Sequence, residues 1–261
     1  MCNDCGCGTG GGAVQIGGPA HGHGHDHGHG HHHDHDHHDH APARGSVTVN
    51  LNRSLMEKND RLAERNRGCF KAKKLLVLNV VSSPGSGKTT FIRETAVQLA
   101  GKLRVGVIVG DLATDNDAAR LKTAGIPVIQ ITTGTVCHLD ADMVAQAAAQ
   151  LDLDQVDVLV IENVGNLVCP ADYDLGEDLR VVLLSTTEGE DKPLKYPPMF
   201  HSAQVAVVTK ADLAVAAGFD RAQALANLNR VSHHAQVFEL SAKTGAGMKA
   251  WLDFLTKQCG R

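Results

Sequence analysis

The stretch Ser82-Ser83-Pro84-Gly85-Ser86-Gly87-Lys88-Thr89-Thr90 carries the residue types and spacing most suggestive of chemistry. Two turn glycines, Gly85 and Gly87, flank Ser86. A lysine and two hydroxyls follow. Successive backbone N–H groups in such a turn face an anion, and a helix starting there adds its positive end. Lys88 has the reach for the β- and γ-phosphates of a nucleotide, and the Thr89 hydroxyl suits Mg2+. The general loop pattern opens on glycine, but here Ser82 stands in that place. Two more carboxylates follow apolar runs. Asp111 follows 104–109 and is the candidate to hold Mg2+ or place the attacking water. Glu162 follows 156–161, and Gly165 comes three residues later. That pairing fits a γ-phosphate and Mg2+ sensor, with the Gly165 N–H towards the terminal phosphate. Asp115 and Asp117 either share this work or cap the next helix.

Thr209-Lys210-Ala211-Asp212 addresses the base. A carboxylate at Asp212 can accept from both N1–H and the 2-amino group of guanine, a donor pair that adenine lacks. The Lys210 stem can lie over the purine. Ser241-Ala242-Lys243-Thr244-Gly245 then offers backbone donors for the guanine carbonyl. In this order after a phosphate loop, the segments favour GTP over ATP. An ATP-dependent enzyme with a metal-binding appendage is the competing class.

A second chemistry is soft. Cys137-His138 and Cys169-Pro170 make a Cys2His set, one ligand short of a closed tetrahedral site. An open position, or ligands shared across a symmetric dimer, would complete it. Cys169 lies only four residues beyond Gly165, so its geometry is expected to follow the phosphate sensor. The chain opens Met1-Cys2-Asn3-Asp4-Cys5-Gly6-Cys7, three thiols able to wrap one soft-ligand ion. The alternative is a flexible end whose thiols oxidise easily. After a glycine-rich linker come His21, His23, His25, His27, His29, His31, His32, His33, His35, His37, His38 and His40, interleaved with Gly and Asp. These are twelve of the 16 histidines. No apolar residue interrupts them, so they cannot form a core. They read as a reservoir for Ni, Zn, Cu or Co rather than a selective site. A purification tag would rarely be interleaved in this way.

The elements that must position these groups occupy the rest of the 261 residues. The sequence divides into a disordered metal-binding tail at 1–45, a connecting segment and helix at 46–70, and a GTPase domain at 71–261. The tail carries five aspartates against Arg44, so it accounts for the whole net charge of −4. The remainder is balanced, which gives no basic nucleic-acid surface. No long apolar segment or signal-peptide core is evident, and the expected location is cytoplasmic. Seven cysteines, an odd number, fit a reduced compartment better than a disulfide scaffold.

Apolar runs at 75–81, 104–109, 128–131, 156–161, 179–185, 204–208 and 236–240 read as strands. Helices are expected at 91–99, 118–124, 141–151 and 248–258. A helix at 51–67 is expected to bury Leu51, Leu55, Leu62 and Met56, with a capping box at Ser54–Glu57 and Gly68 as its stop. Cys69 then reads as a packed thiol and 187–199 as a long loop. Trp251, Leu252 and Leu255 read as packing residues. Cys259 is not expected to be catalytic, and His201, His233 and His234 have no evident partner. The fold class is α/β: a P-loop NTPase of the signal-recognition/partition-like G-domain class, with a mostly parallel sheet and helices on both faces.

Taken together, these motifs resemble the hydrogenase nickel-incorporation GTPases, accessory proteins of nickel–iron hydrogenase maturation. Ser82 is then that family's usual form. The urease accessory GTPases are relatives, but the Cys2–Cys7 opening is less like theirs. The resemblance implies that Cys2, Cys5 and Cys7 are high-affinity nickel ligands. It implies that Cys137, His138 and Cys169 form a weaker nickel or zinc site at a nucleotide-dependent homodimer interface. It also implies GTP and Mg2+ as ligands. A second hydrogenase maturation metallochaperone and the hydrogenase large-subunit precursor become the expected partners. A nickel storage or detoxification protein and a urease-type accessory GTPase are the alternatives. No arginine is assignable to hydrolysis, so slow turnover is expected.

Overall fold

The computed structural model describes residues 47–112 and 116–260, with side chains from residue 53 onward. The readings on Cys2, Cys5, Cys7, the twelve histidines from His21 to His40, Asp115 and the Leu51 side chain lie outside the described residues.

Seven strands form one sheet: β1 Leu76–Ser82, β2 Val105–Asp111, β3 Val128–Thr132, β4 Val158–Glu162, β5 Leu179–Ser185, β6 Val205–Thr209 and β7 Gln236–Glu239. Their order is β3-β2-β4-β1-β5-β6-β7, and every pairing is parallel. A parallel sheet covered on both faces needs apolar residues at nearly every position, which explains the uninterrupted runs. In β1, Leu76, Leu78 and Val80 enter one core cluster and Val77 enters the opposite one. In β4, Val158 and Val160 face the first, and Leu159 and Ile161 the second.

The helices are α1 Val47–Ala72, α2 Lys88–Leu99, α3 Asn116–Thr123, α4 Ala141–Ala148, α5 Lys192–Lys195, α6 Pro197–Ser202, α7 Arg221–Val231 and α8 Met248–Gln258. On one face Phe91 of α2 meets Trp251 of α8 at 5.3 Å between ring centres. The buried Trp251 indole N–H donates to Thr95 Oγ1 at 3.0 Å, so its polar end is satisfied. The other face is covered by Phe70 of α1 and Val144 of α4. Met199 and Phe200 of α6 and Leu228 of α7 cover the β5–β6 side. Among the described residues, no helix is long and apolar enough to cross a membrane.

Helix α1 departs most from expectation. It runs through Gly68 and Cys69 to Ala72, and the turn that closes it places Lys74 at φ 57°. There the Lys74 N–H bonds to Lys71 C=O at 3.0 Å and the Leu75 N–H to Phe70 C=O at 3.1 Å, a Schellman closure. The buried face is Asn59, Ala63, Asn66 and Phe70, at helical spacing but half polar. Leu55 is 55% exposed, and Met56 and Leu62 are only partly buried. Apolar periodicity pointed to the wrong face because this helix buries amides that bond to loop backbone. The Ser54–Glu57 pair lies within the helix, where Glu57 pairs with Arg53. Cys69 is exposed, since burying Phe70 turns its neighbour outward. Segment 187–199 is not one long loop: it contains α5 and the start of α6, with Met199 and Phe200 fully buried. Helix α7 was not anticipated, and α4 stops three residues before the expected end.

Candidate nucleotide site and metal centre

The site residues gather at the carboxyl ends of the strands around β1, where neighbouring connections leave in opposite directions and a crevice opens. Gly87 adopts φ 96° immediately before α2, a conformation open to glycine at little cost. Lys88 then begins the helix facing inward. Its Nζ donates to Ser82 Oγ at 2.9 Å. The Ser86 hydroxyl donates to the same oxygen, and Ser82 donates to Ser83 C=O at 2.7 Å. The serine in place of glycine thus gives the lysine a partner within the loop. Burial pushes the Lys88 pKa down against the carboxylates around it, Glu162 foremost.

Thr89 Oγ1 donates to Glu162 Oε1 at 2.7 Å. Glu162 is 2% exposed, and its Oε2 has no partner. Burial pushes this carboxyl up to about 7, against the Thr89 hydrogen bond and the Lys88 charge. Asp111 lines the same cleft of about 460 Å³, with one oxygen accepting from Leu112 N–H at 2.6 Å. An orphaned carboxylate oxygen, a hydroxyl and a second carboxylate form a hard oxygen set that fits Mg2+. Gly165 packs against the loop: a Cβ there would lie 3.1 Å from Pro84 Cα. Asp117 lies inside the first turn of α3 rather than at its cap, and it lines the cleft. Arg120, one turn on, also lines it. Sequence reasoning missed this arginine, although its spacing from Asp117 was a usable signal.

A second cleft of about 420 Å³ adjoins the first and shares Gly87, Thr90 and Lys210 with it. Asp212, Ser241, Ala242 and Lys243 line it. Lys210 has φ 55° and donates to Gly85 C=O at 2.7 Å, so it lies across the phosphate loop. Thr209 Oγ1 donates to Ser86 C=O at 3.0 Å. The Ala211 N–H reaches Leu240 C=O at 3.2 Å, joining the two loops that the sequence reading assigns to the base.

Cys137, His138 and Cys169 converge. Their donor atoms lie within 4.8 Å of one another, the one such His/Cys/carboxylate group among the described residues. The two Sγ atoms are 2.9 Å apart. His138 Nδ1 has no partner, and its ring stacks on Tyr173 at 3.9 Å between centres. Burial lowers the His138 pKa, opposed by Asp140, which favours the neutral imidazole a metal needs. Two thiols and a neutral imidazole suit Ni2+ or Zn2+.

Distant segments hold this cluster. Asn59 donates to Asp174 C=O at 2.8 Å and accepts from Ala141 N–H at 2.9 Å. Asn66 donates to Ala141 C=O at 2.7 Å and to Leu175 C=O at 3.2 Å. Arg180 donates to Ala171 C=O at 2.8 Å and Tyr173 C=O at 2.7 Å. Asn163, next to Glu162, accepts from Leu139 N–H at 3.2 Å. Asn166 donates to Cys137 C=O at 3.4 Å. The roles of these residues and of Tyr173 were missed. An aromatic four residues after Cys169, in a chain with two tyrosines, was the one available signal.

Away from both sites, Cys259 packs partly against the α2–α8 core. His201, His233 and His234, for which the sequence offered no evident partner, lie together.

Comparison with known proteins agrees with this arrangement. Residues 76–239 match the family model described as CobW/HypB/UreG, nucleotide-binding domain. The hydrogenase maturation factor HypB of Escherichia coli K12 is 52% identical over 206 residues, covering 78% of this chain and 71% of that protein. The probable hydrogenase maturation factor HypB of Methanocaldococcus jannaschii is 38% identical, covering 80% of this chain and 95% of its own. The crystal structure of HypB from Helicobacter pylori in complex with nickel superposes with a TM-score of 0.74 at 40% identity, covering 77% of this chain and 95% of that one. The chain therefore belongs to the CobW/HypB/UreG family, among its HypB hydrogenase maturation factors.

Proposed function

We propose that this protein is a GTP-hydrolysing nickel carrier for nickel–iron hydrogenase maturation, whose core metal site is switched by its nucleotide. The carrying observation is the path between the two sites. Asn163, one residue after Glu162, accepts from the Leu139 N–H, and Leu139 follows Cys137 and His138 directly. Cys169 stands at the far end of the same short segment, and Asn166 within it bonds to Cys137 C=O.

In this reading GTP and water give GDP and phosphate. Asp212 accepts from the guanine N1–H and 2-amino groups. Lys88 exchanges Ser82 for the phosphates and offsets their developing charge. Thr89, Asp111 and Glu162 would hold Mg2+, which supplies charge neutralisation at the phosphate oxygens. Displacing the 162–165 turn moves Asn163 and Cys169 together and so changes the donor geometry around the cargo ion. Nickel is that cargo, and zinc suits the same donors. The Cys2–Cys7 thiols would form a tighter tail site, with the histidines from His21 to His40 as a store. The open fourth position favours completion by a second copy in a homodimer. The second maturation metallochaperone and the hydrogenase large-subunit precursor are the expected partners.

The test is a nickel titration of the reduced full chain, loaded first with GDP and then with a non-hydrolysable GTP analogue. The thiolate-to-nickel absorption of Cys169→Ala serves as the reference for the core site. A nucleotide-dependent shift in wild type, lost in Cys169→Ala while GTP binding is kept, is the expected result. Loss of GTP binding with the shift intact would sink the coupling.

A further inference from the structure

His201 lies in the last turn of α6, while His233 and His234 follow the end of α7. The first segment leads into β6 and the second into β7. In a parallel sheet this is the amino-terminal pole, opposite the phosphate loop. The His201 and His234 rings meet at 5.5 Å and 86°, and the His233 and His234 rings at 5.7 Å and 89°. Two imidazoles bound to one ion at ~2.0–2.1 Å per nitrogen, at a tetrahedral angle, have ring centres about 5 Å apart. The observed separations are close to that figure.

His201 Nδ1 lies 3.2 Å from Val231 C=O. A carbonyl can only accept, so Nδ1 is the donor, and in the neutral ring Nε2 is then the nitrogen with a lone pair for a metal. This is how imidazole ligands are commonly oriented. The carbonyl belongs to the last residue of α7, and the carboxyl end of a helix favours a cation. The turn bearing the other two rings is anchored. Ser232 N–H bonds to Leu228 C=O at 2.7 Å, Ala235 N–H to Ser232 C=O at 3.1 Å, and Gln236 N–H to Gln204 C=O at 3.0 Å. All three histidines are exposed, so an ion held there would enter from solvent and keep water in its remaining positions.

We propose that His201, His233 and His234 form a solvent-facing site for a borderline divalent cation, Ni2+, Cu2+ or Zn2+, separate from the Cys137 cluster. Three nitrogen donors select against Mg2+ and Ca2+, which take oxygen. Unlike the Cys137 cluster, whose donors already lie within 4.8 Å, this site closes by side-chain rotation. It is therefore the weaker of the two. The proposal does not depend on the nickel-carrier reading.

The twelve tail histidines would hide such a site in a bulk titration, so the readout must resolve each residue. The reduced, GDP-loaded full chain is treated with diethyl pyrocarbonate across a series of Ni2+ concentrations, and in parallel Zn2+. Modification of each histidine is followed by peptide mass spectrometry. The expected result is that His201, His233 and His234 become protected together, at one midpoint. His201→Gln should raise the midpoint for the other two by about tenfold or more, with GTP binding unchanged as the check on folding. His234→Gln should release His201 and His233 in the same way. Unchanged modification of the three while tail histidines are protected would overturn the site. So would protection of His233 and His234 that neither substitution alters.

Discussion

In the phosphate cleft the functional side chains occupy one another. Lys88 donates to Ser82, Thr89 to Glu162, and Lys210 to the Gly85 carbonyl. In the proposed function a nucleotide and its cation would replace these partners, so ligand binding would exchange one set of bonds for another. The thiol–imidazole cluster is the reverse. Its two Sγ atoms meet each other, and His138 Nδ1 has no partner. The bonding lies around it, from Asn59, Asn66 and Arg180 to the loop backbone. The first site is pre-organised by a local turn and the helix it starts. The second is pre-organised by segments far apart in the chain. Substitutions at the first should act on the ligand directly, and at the second through the scaffold.

The largest test of that contrast is Lys88→Ala. Removing the one cation buried in the loop should lower GTP hydrolysis by about 10²–10³-fold, measured as phosphate release. The thiolate-to-nickel absorption of the GDP-loaded protein should persist, because no donor of the metal cluster is held by Lys88. Loss of that absorption would mean that the two sites are not separately organised.

Asn66→Ala probes the scaffold. It removes the donor to two backbone carbonyls in a buried site. Leaving these unsatisfied should cost about 2–3 kcal/mol, seen as a lower urea midpoint. Nickel affinity at the cluster should fall by about tenfold, as for other supporting residues of metal sites, while GTP affinity is retained. A parallel loss of GTP affinity would show that α1 supports the whole sheet edge rather than this cluster.

The same contrast explains what could be read from the sequence. The phosphate loop is one contiguous stretch whose glycines, lysine and hydroxyls each have a stereochemical reason to be there. Buried parallel strands are legible because both faces demand apolar residues. The Cys137–His138 pair and Cys169 were legible as donors by residue type. Their scaffold was not. Asn59 and Asn66 act across 75 to 115 residues of sequence, and a buried asparagine looks like a surface one until its partners are known. Reading α1 by apolar spacing selected Leu55, which is exposed, over Asn59, which is buried. Ser82 was recognised as a departure from the general pattern, but its bond to Lys88 emerged only with the side chains in place.

The smallest and sharpest test concerns Glu162. Burial raises its carboxyl from 4.5 to about 7, so the folded state holds this proton more tightly than the unfolded chain does. The associated stability is fully present below about pH 4.5 and is lost as pH rises through about 7. Above that, without nucleotide or metal, the ionised form should cost the fold on the order of 3 kcal/mol. Glu162→Gln keeps an oxygen for Thr89 and never ionises. At pH 8 in a chelator, without nucleotide, it should melt roughly 6–12 °C above wild type, and the gap should close as the pH falls towards 5. Adding Mg2+ and GTP should reverse the order, because wild type then regains a partner for the charge and the glutamine cannot. Equal melting of the two proteins at every pH would remove the stored cost. The Thr89–Glu162 bond would then be a resting contact, and the phosphate cleft would be no more strained without its ligand than the metal cluster beside it.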